Sequence, residues 1–306
     1  MPAIDLEGVT KQFGDVTALH DVDLTVEDGE IYGFLGPNGA GKSTTINILL
    51  DFIRPTSGNA NVLGFDAQAD TVEVRRRIGV LPDGFDVYNR LTGRQHIQFA
   101  IDSKPGVDDD PMAILERVGI PDAADRKAGG YSKGMAQRLV LGMALVGDPD
   151  LLILDEPSTG LDPNGAREMR EIIREERDRG ATIFFSSHIL EQVEAVCDRV
   201  GILREGQIVA EDSIEGLRDA VGGQASLTVT VDRVTEDAIE AAKGVAGVSE
   251  VRTEGSELTV ACEDSAKRDV LDAIEGAGAR VETFGTERAS LEDLFLHYTN
   301  EAEVEA

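Results

Sequence analysis

The sequence is poor in cysteine and has no long apolar run. Two cysteines, Cys197 and Cys262, stand among its 306 residues. They are too few for a disulfide framework or a paired metal-ligand spacing, which favours a reducing compartment. The longest apolar stretch, LVLGMALVG at 139–147, is far shorter than the roughly 20 residues of a membrane-spanning helix. With no signal-peptide pattern at the N-terminus, we expect a cytoplasmic protein that reaches a membrane only through a partner.

Lysine is also scarce, and the net charge is strongly negative. Seven of the 29 basic residues are lysine, and 58 acidic residues bring the net charge to −29. The excess is spread along the chain, with −15 in residues 206–306 and −14 in residues 1–205. This distribution is typical of a surface adapted to high salt, although an ordinary acidic protein is the alternative. It argues against a nucleic-acid partner, which requires basic patches.

The order of apolar segments predicts an α/β protein. Short β-rich segments open the chain, and VLGF (62–65) and RIGVLP (77–82) are predicted as further strands. Residues 92–147 have a helical pattern, and two later strands are predicted in DLLILDEP (150–157) and ATIFFSSH (181–188). Alternating strands and helices indicate a mainly parallel sheet covered by helices.

A smaller second domain is predicted after the segment VGGQA at 221–225, which gives domains at 1–221 and 225–300. The segments beyond it follow the order strand, helix, strand, strand, helix, strand, which is typical of a ferredoxin-like α+β module. SLEDLFLHYT at 290–299 is predicted as a final amphipathic helix. We expect this domain to support dimerisation or stability, with a regulatory ligand site as the alternative.

The strongest motif is GPNGAGKST at 36–44, which matches the phosphate-binding pattern G-x-x-x-x-G-K-[ST] with a strand before it and a helix after it. Its glycines let backbone N–H groups turn inward, and the helix N-terminus adds its positive dipole end. Lys42 is expected to neutralise the β- and γ-phosphates, and the Ser43 hydroxyl to ligate Mg²⁺. An incidental glycine turn would not explain both the match and its context. The expected nucleotide-binding residues of the loop are Gly36, Pro37, Asn38, Gly39, Ala40, Gly41, Lys42, Ser43 and Thr44.

Two carboxylates, Asp155 and Glu156, follow the apolar run LLIL. They would lie at the carboxyl edge of the sheet, where open α/β sheets bind ligands. Asp155 is expected to hold Mg²⁺, and Glu156 to position or deprotonate the attacking water. His188 follows another buried strand. A lone histidine is usually unremarkable, but this location favours a place in the same site.

Five motifs, GPNGAGKST, YSKGMAQR, LLILDEP, STGLD and SSH, occur in an order and spacing that resemble the nucleotide-binding subunit of an ATP-binding cassette (ABC) transporter. The resemblance covers about residues 3–220. It implies a P-loop NTPase cassette with a β-rich N-terminal part and a helical subdomain, and ATP and Mg²⁺ as ligands. It also implies a dimer with a second cassette, and a separate integral membrane permease at the inner face of the cell membrane. Whether the dimer is homomeric stays open.

YSKGMAQR at 131–138 takes the place of the family signature, usually written LSGGQ. Ser132 and Gly134 match it, while Lys133 and Met135 replace glycine and glutamine. The resemblance implies that this segment closes over the ATP held by the other subunit, with the helix N-terminus facing the γ-phosphate. An ordinary helix N-cap at Ser132 is compatible with this role.

Further roles follow from the resemblance. Asp162 in STGLD would make a contact across the dimer interface, and His188 would sense the γ-phosphate. Phe13 in TKQFG would stack on adenine, with a core phenylalanine as the alternative. The family has a glutamine after the strand written here as RIGVLP, where Asp83 stands. Its carboxylate would approach the metal but repel phosphate, and an exposed turn aspartate is an equal alternative.

The signature variant, the single cassette and the C-terminal module resemble ATPases of drug, polysaccharide or copper exporters. Two alternatives stay open. A soluble ABC protein of translation would carry two cassettes, and one of DNA repair would insert coiled coils before the signature, where residues 92–131 have no sustained heptads. An importer ATPase is the other alternative, because transport direction leaves no mark on the cassette.

Overall fold

The computed structural model of the protein describes residues 1–220, 226–262 and 264–287. The chain divides into two compact units, Met1–Ile214 and Glu215–Ala306, and each is described by itself. The segment 221–225, where we predicted the domain boundary, and the helix predicted at 290–299 lie outside the described residues. The domain limits 1–221 and 225–300 therefore stay a prediction.

The first unit alternates strands and helices along the chain. Its elements are β1 (Ile4–Phe13), β2 (Val16–Val26), β3 (Ile31–Leu35), α1 (Lys42–Leu49), β4 (Ser57–Val62), β5 (Phe65–Asp66), α2 (Thr71–Arg77), β6 (Ile78–Leu81), α3 (Gly93–Ser103), α4 (Pro111–Arg117), α5 (Lys133–Leu145), β7 (Leu151–Asp155), α6 (Pro163–Asp178), β8 (Thr182–Ser187), α7 (Leu190–Glu194), β9 (Arg199–Arg204) and β10 (Gln207–Ser213). Helix α8 (Ile214–Ala220) begins at the last residue of this unit.

The β-rich N-terminal part is an antiparallel sheet of four strands in the order β2-β1-β4-β5. Alternate residues of β1, among them Ile4 and Leu6, enter a core that this sheet shares with β3 and α1. The prediction of one strand at VLGF is wrong. Leu63 and Gly64 have positive φ angles of 52° and 77°, so the chain turns there between β4 and β5.

A second sheet of six strands has the order β10-β9-β3-β8-β7-β6. Its strands are parallel from β9 to β6, and only β10 pairs antiparallel at one edge. Every residue of β3, β7 and β8 is buried, as expected for parallel strands covered on both faces. Because parallel strands end at the same edge, the residues after β3, β7 and β8 lie close together.

The predicted helical region 92–147 contains α3, α4 and α5. Thr92 begins α3 with a capping box to Gln95, and Asp110 accepts a hydrogen bond from Met112 N at the start of α4. The glycine in LVLGMALV has a packing reason. A Cβ on Gly142 would lie 3.1 to 3.3 Å from side-chain atoms of Ile97 in α3, Ile114 in α4 and Val118 directly after α4, so glycine lets the helices pack closely.

The second unit contains β11 (Ser226–Val231), α9 (Glu236–Lys243), β12 (Val248–Glu254), β13 (Glu257–Cys262), α10 (Lys267–Gly276) and β14 (Val281–Glu287). Its sheet has the order β12-β13-β11-β14 with antiparallel neighbours throughout. Buried side chains of β11 and β13 pack against α9 and α10. The predicted ferredoxin-like α+β fold of this domain is confirmed.

Candidate active site

The phosphate loop connects β3 to α1, and its glycines have geometric reasons. Gly39 and Gly41 have φ angles of 87° and 117°, which residues with a Cβ rarely adopt. A Cβ on Gly36 would overlap the backbone carbonyl oxygen of Leu203. The loop therefore keeps a backbone path that other residues would distort, and it presents N–H groups at the N-terminus of a helix.

Lys42 is the first residue of α1, and its side chain is only 7% exposed. Its Nζ donates hydrogen bonds to the carbonyl oxygens of Gly36 at 2.6 Å and Pro37 at 3.4 Å. The same atom lies 3.9 Å from Glu156 Oε1. Burial lowers the pKa of Lys42, while nearby carboxylates raise it. The loop thus holds a cation that a phosphate would satisfy better than two carbonyl groups do.

Asp155 is the last residue of β7 and stands opposite Ser186 in the parallel register with β8. Its Oδ1 accepts a hydrogen bond of 2.6 Å from the Ser186 hydroxyl. Burial raises the pKa of Asp155, the Ser186 hydrogen bond lowers it, and the charges of Asp83 and Glu156 raise it again. The carboxylate is therefore held in one orientation in a place with excess negative charge.

Glu156 follows β7 with a positive φ of 52°, a strained value for a residue with a side chain and one that recurs at functional sites. Its backbone N–H donates to Ser186 O at 3.0 Å. The carboxylate accepts a hydrogen bond from Thr159 Oγ1 at 3.1 Å and lies 2.8 Å from His188 Nδ1. Because a carboxylate only accepts, Nδ1 carries the proton in this contact. Two contacts thus fix the carboxylate of a residue that is 9% exposed, and a third holds its backbone.

A cavity of about 180 Å³ brings most of the predicted phosphate and metal residues together. It is lined by Ala18, Pro37, Asn38, Gly39, Gly41, Lys42, Ser43, Thr44, Asp83, Asp155 and Glu156. Gly36 and Ala40 belong to the same loop without lining the cavity, and His188 is joined to it through Glu156. Asp83, the departure from the family pattern, therefore lies beside the phosphate loop.

The three residues predicted to act across a dimer interface lie outside this cavity. Ser132 caps α5 by accepting a hydrogen bond from Met135 N at 3.2 Å, and Asp162 caps α6 by accepting one from Gly165 N at 2.7 Å. Gly134 lies in the first turn of α5. Within one chain these residues do not meet the phosphate loop, as the predicted arrangement across a dimer requires.

Phe13 also lies outside the cavity, at the end of β1. Its side chain is 48% exposed, so the alternative of a core phenylalanine is wrong. Lys11 Nζ lies 4.8 Å from the centroid of its ring. The ring is thus available on the surface for stacking, and its role toward adenine stays a prediction.

Three residues that contact the site were not singled out from the sequence. Ser186 and Thr159 hold the two carboxylates, as described above. Gln137, a polar residue that is only 2% exposed, donates a hydrogen bond from Nε2 to Pro157 O. Gln137 could have been noticed as a polar residue on the buried side of α5. The contacts of Ser186 and Thr159 depend on strand register and on the turn after β7, which the sequence does not reveal.

The oxygen groups in the cavity suit Mg²⁺. Among the described residues, no group of three or more histidine, cysteine, aspartate or glutamate side chains is arranged to hold a metal ion by itself. Mg²⁺ is usually bound by one or two carboxylates together with water and substrate phosphates. The Ser43 hydroxyl and the carboxylates of Asp155 and Asp83 line the cavity beside the phosphate loop, and their excess negative charge fits such an ion.

A phosphate loop between a buried parallel strand and a helix, with a carboxylate pair after a neighbouring strand, defines a P-loop nucleotide hydrolase. Residues 19–159 match the sequence profile of the ABC transporter family, and residues 213–299 match that of the C-terminal domain of DrrA1-3-like ATP-binding proteins. The chain belongs to the ATP-binding proteins of the ABC transporter family.

Relatives match this chain over nearly its whole length. It is 34% identical to the daunorubicin resistance ATP-binding protein DrrA2 of Streptomyces coeruleorubidus, over 97% of this chain and 95% of that protein. It is 30% identical to the linearmycin resistance ATP-binding protein LnrL of Bacillus subtilis, over 97% of this chain and 98% of that protein. A solved structure of an ATP-binding subunit of an ABC transporter has a TM-score of 0.66 and 28% identity, over 72% of this chain and 93% of that chain.

These comparisons confirm the cassette fold and the family predicted from the motifs. The chain is accordingly an ATPase of the ABC class. Within the described part of the chain, no helix has the length and apolar character needed to cross a membrane. The roles of individual site residues stay predictions.

Proposed function

We propose that this chain hydrolyses ATP as one half of a dimer of cassettes, and that the dimer powers export of drug-like compounds through a separate membrane permease. The observation that carries hydrolysis is the position of Glu156, fixed by Thr159 and His188 and 3.9 Å from Lys42 Nζ. Export is supported by the full-length relatives, which are named for resistance to daunorubicin and linearmycin.

In this proposal, Lys42 and the loop N–H groups bind the β- and γ-phosphates of ATP. Ser43, Asp155 and Asp83 would hold Mg²⁺, which when bound neutralises charge on the phosphates. Glu156 orients the attacking water and accepts its proton. His188 donates to the Glu156 carboxylate, which keeps that carboxylate directed into the cavity.

The second cassette completes the site. Ser132 and Asp162 stand at the N-termini of α5 and α6, where helix dipoles favour an anion, but they lie outside the cavity of their own chain. In a symmetric dimer each copy would present these groups to the nucleotide of the other. The permease would hold the dimer at the inner face of the cell membrane.

Reconstitution with the permease tests the proposed export. We expect the purified chain to release phosphate from ATP in the presence of Mg²⁺. Inside-out vesicles that contain both subunits should accumulate a transported compound only when ATP is added. Daunorubicin and linearmycin are the first compounds to use, because relatives are named for them. Lys42→Ala is the matched control for both measurements. ATP-driven loss of compound from loaded inside-out vesicles would instead indicate import.

Asp83→Gln tests the proposed metal contact. We expect the Mg²⁺ concentration for half-maximal hydrolysis to rise by about tenfold, because a carboxylate is lost near the ion. The KM for ATP should fall, because the same carboxylate repels phosphate. Mg²⁺ titrations of initial rates measure both values. Asp86→Asn is the control, since Asp86 belongs to the same loop but does not line the nucleotide cavity. Equal titration curves for Asp83→Gln and the unsubstituted protein would make Asp83 an ordinary turn residue.

The acidic surface predicts dependence on salt. At 2 M KCl the Debye length is below about 3 Å, so repulsion within a chain of net charge −29 is largely screened. We expect the Tm to rise by at least about 10 °C between 0.15 M and 2 M KCl, since each kcal/mol is worth a few degrees in a chain of this size. Chloride is used because sulfate strengthens apolar burial in any protein. An equal Tm and equal ATPase activity at both concentrations would contradict adaptation to high salt.

A further inference from the structure

A second cavity, of about 250 Å³, adjoins the active site within the first unit. We call it the loop cavity. It lies among the loop 82–87, the first turns of α5 and the residues that follow β7. Its charged lining consists of the carboxylates of Asp83, Asp86 and Glu156 and one cation, Lys133, among the residues that the structure describes. Two of these carboxylates also line the nucleotide cavity, so the two cavities share their acidic wall.

The Lys133 side chain crosses from α5 to the segment that carries Glu156. A Cβ placed on Gly160 would lie 3.3 Å from Lys133 Cδ and 3.0 Å from Cε, and closer still to Nζ. Gly160 has a φ of 73° and leaves the space that the lysine occupies. The ammonium group is thus brought over the turn four residues after Glu156, beside Thr159, which bonds the Glu156 carboxylate.

This placement of a cation needs an explanation. Lys133 is the first residue of α5, where the positive end of the helix dipole disfavours a cation. The carboxylates across the loop cavity provide the compensating charge. These charged side chains line one small cavity, and salt at physiological ionic strength screens part of their attraction. The lysine therefore gains at this position from the acidic wall of the active site.

We propose that Lys133 is a positioning residue for ATP hydrolysis. Its ammonium group, attracted by Asp83 and Glu156, holds the loop 82–87 and the segment 156–160 against the start of α5. Ser132 is the N-cap of the same helix. The contact therefore fixes Glu156, which acts on the nucleotide of its own chain, relative to Ser132, which the chain presents to the nucleotide of the second cassette. This inference rests on the proposed function, because it assigns a role in that reaction.

The inference is tested with Lys133→Met and Lys133→Arg, each made in the unsubstituted protein and in an Asp83→Asn background. We expect Lys133→Met to lower kcat by about fivefold, which is within the range of interaction energies between neighbouring residues. The KM for ATP should change by less than about twofold. Lys133→Arg should restore kcat, because the cation is retained. In the Asp83→Asn background, Lys133→Met should lower kcat by less than about twofold, since one of the two carboxylates that attract the ammonium group is gone. Lys127→Met, an exposed lysine of the same helical region outside the loop cavity, is the matched control.

Three outcomes would overturn the inference. The first is an effect of Lys133→Met no larger than that of Lys127→Met. The second is an equal loss in both Asp83 backgrounds. The third is a raised KM with unchanged kcat, which would place the ammonium on nucleotide instead of on Asp83.

Urea unfolding of the same variants gives a measure that does not depend on turnover. The destabilisation caused by Lys133→Met should be smaller in the Asp83→Asn background than in the unsubstituted protein. If the unsubstituted protein released no phosphate, the proposed function would fail, while this coupling would still be measured. Equal destabilisation in both backgrounds would count against the contact itself.

Discussion

Equal mixing of Lys42→Ala subunits with Ser132→Asp subunits is expected to restore ATP hydrolysis that neither variant has alone. Each variant by itself has two broken sites if the phosphate loop of one chain works with α5 of the other. In a mixed dimer, one site combines both substitutions and the other combines neither. Ser132→Asp is chosen because aspartate retains the N-cap to Met135 N while its charge repels the γ-phosphate.

The size of the recovery is informative. If sites act independently, an equal mixture should reach about a quarter of the unsubstituted activity, because half of the dimers are mixed and each has one intact site. Separately tagged subunits show by double purification whether mixed dimers form. Mixed dimers that form at saturating ATP and remain inactive would argue against a site shared between chains. A Lys42→Ala/Ser132→Asp double variant mixed with Lys42→Ala is the negative control, since no dimer of that pair has an intact site.

The parts of the fold that were predictable are those in which burial is complete. Strands β3, β7 and β8 have no exposed residue. Each therefore contains a short, mostly apolar segment (IYGFL, LLIL and IFF) that a polar or glycine-rich motif follows. The motif that follows each strand could therefore be assigned to the carboxyl end of that strand. Parallel pairing brings these ends together, and the nucleotide cavity could be anticipated from the motifs for that reason.

The two strands at the β10 end of the six-stranded sheet were harder to recognise. Strand β9 begins and ends with arginine, and β10 alternates exposed residues with partly buried ones, so neither forms a long apolar run. Contacts from distant segments hold them. Arg199 pairs with Glu30 and with Glu211, residues that are far apart in sequence. Sequence patterns within a short window do not contain such pairings.

The residues of the site were likewise predictable only in part. Residue types and spacing identified the carboxylates, but the Ser186 contact to Asp155 follows from the register between β7 and β8. The positive φ of Glu156 likewise depends on the turn after β7 being held by Ser186, Thr159 and their neighbours. Register and backbone strain are tertiary properties, and they decide which of several polar groups supports a catalytic one.

Glu156→Gln is expected to slow ATP cleavage by about 10²-fold or more while leaving ATP binding intact. Glutamine has the size of glutamate, and its amide oxygen accepts hydrogen bonds from Thr159 Oγ1 or His188 Nδ1. It does not accept a proton from water at neutral pH. Single-turnover release of phosphate measures the rate, and fluorescence titration with a labelled nucleotide measures binding. Thr159→Val, which removes one hydrogen bond to the carboxylate, should cause a smaller loss.

The same variant should convert ATP binding into stable dimerisation. ATP that contacts both chains stabilises the closed dimer by mass action for as long as it is not cleaved, so Glu156→Gln should elute as a dimer in size-exclusion chromatography with ATP. Glu156→Gln combined with Lys42→Ala should stay monomeric, because the phosphates lose their cation. Hydrolysis at the unsubstituted rate would show that Glu156 is not the base. Loss of hydrolysis without an ATP-dependent dimer would leave Glu156 as the base and contradict the contact of Ser132 with the nucleotide of a second chain.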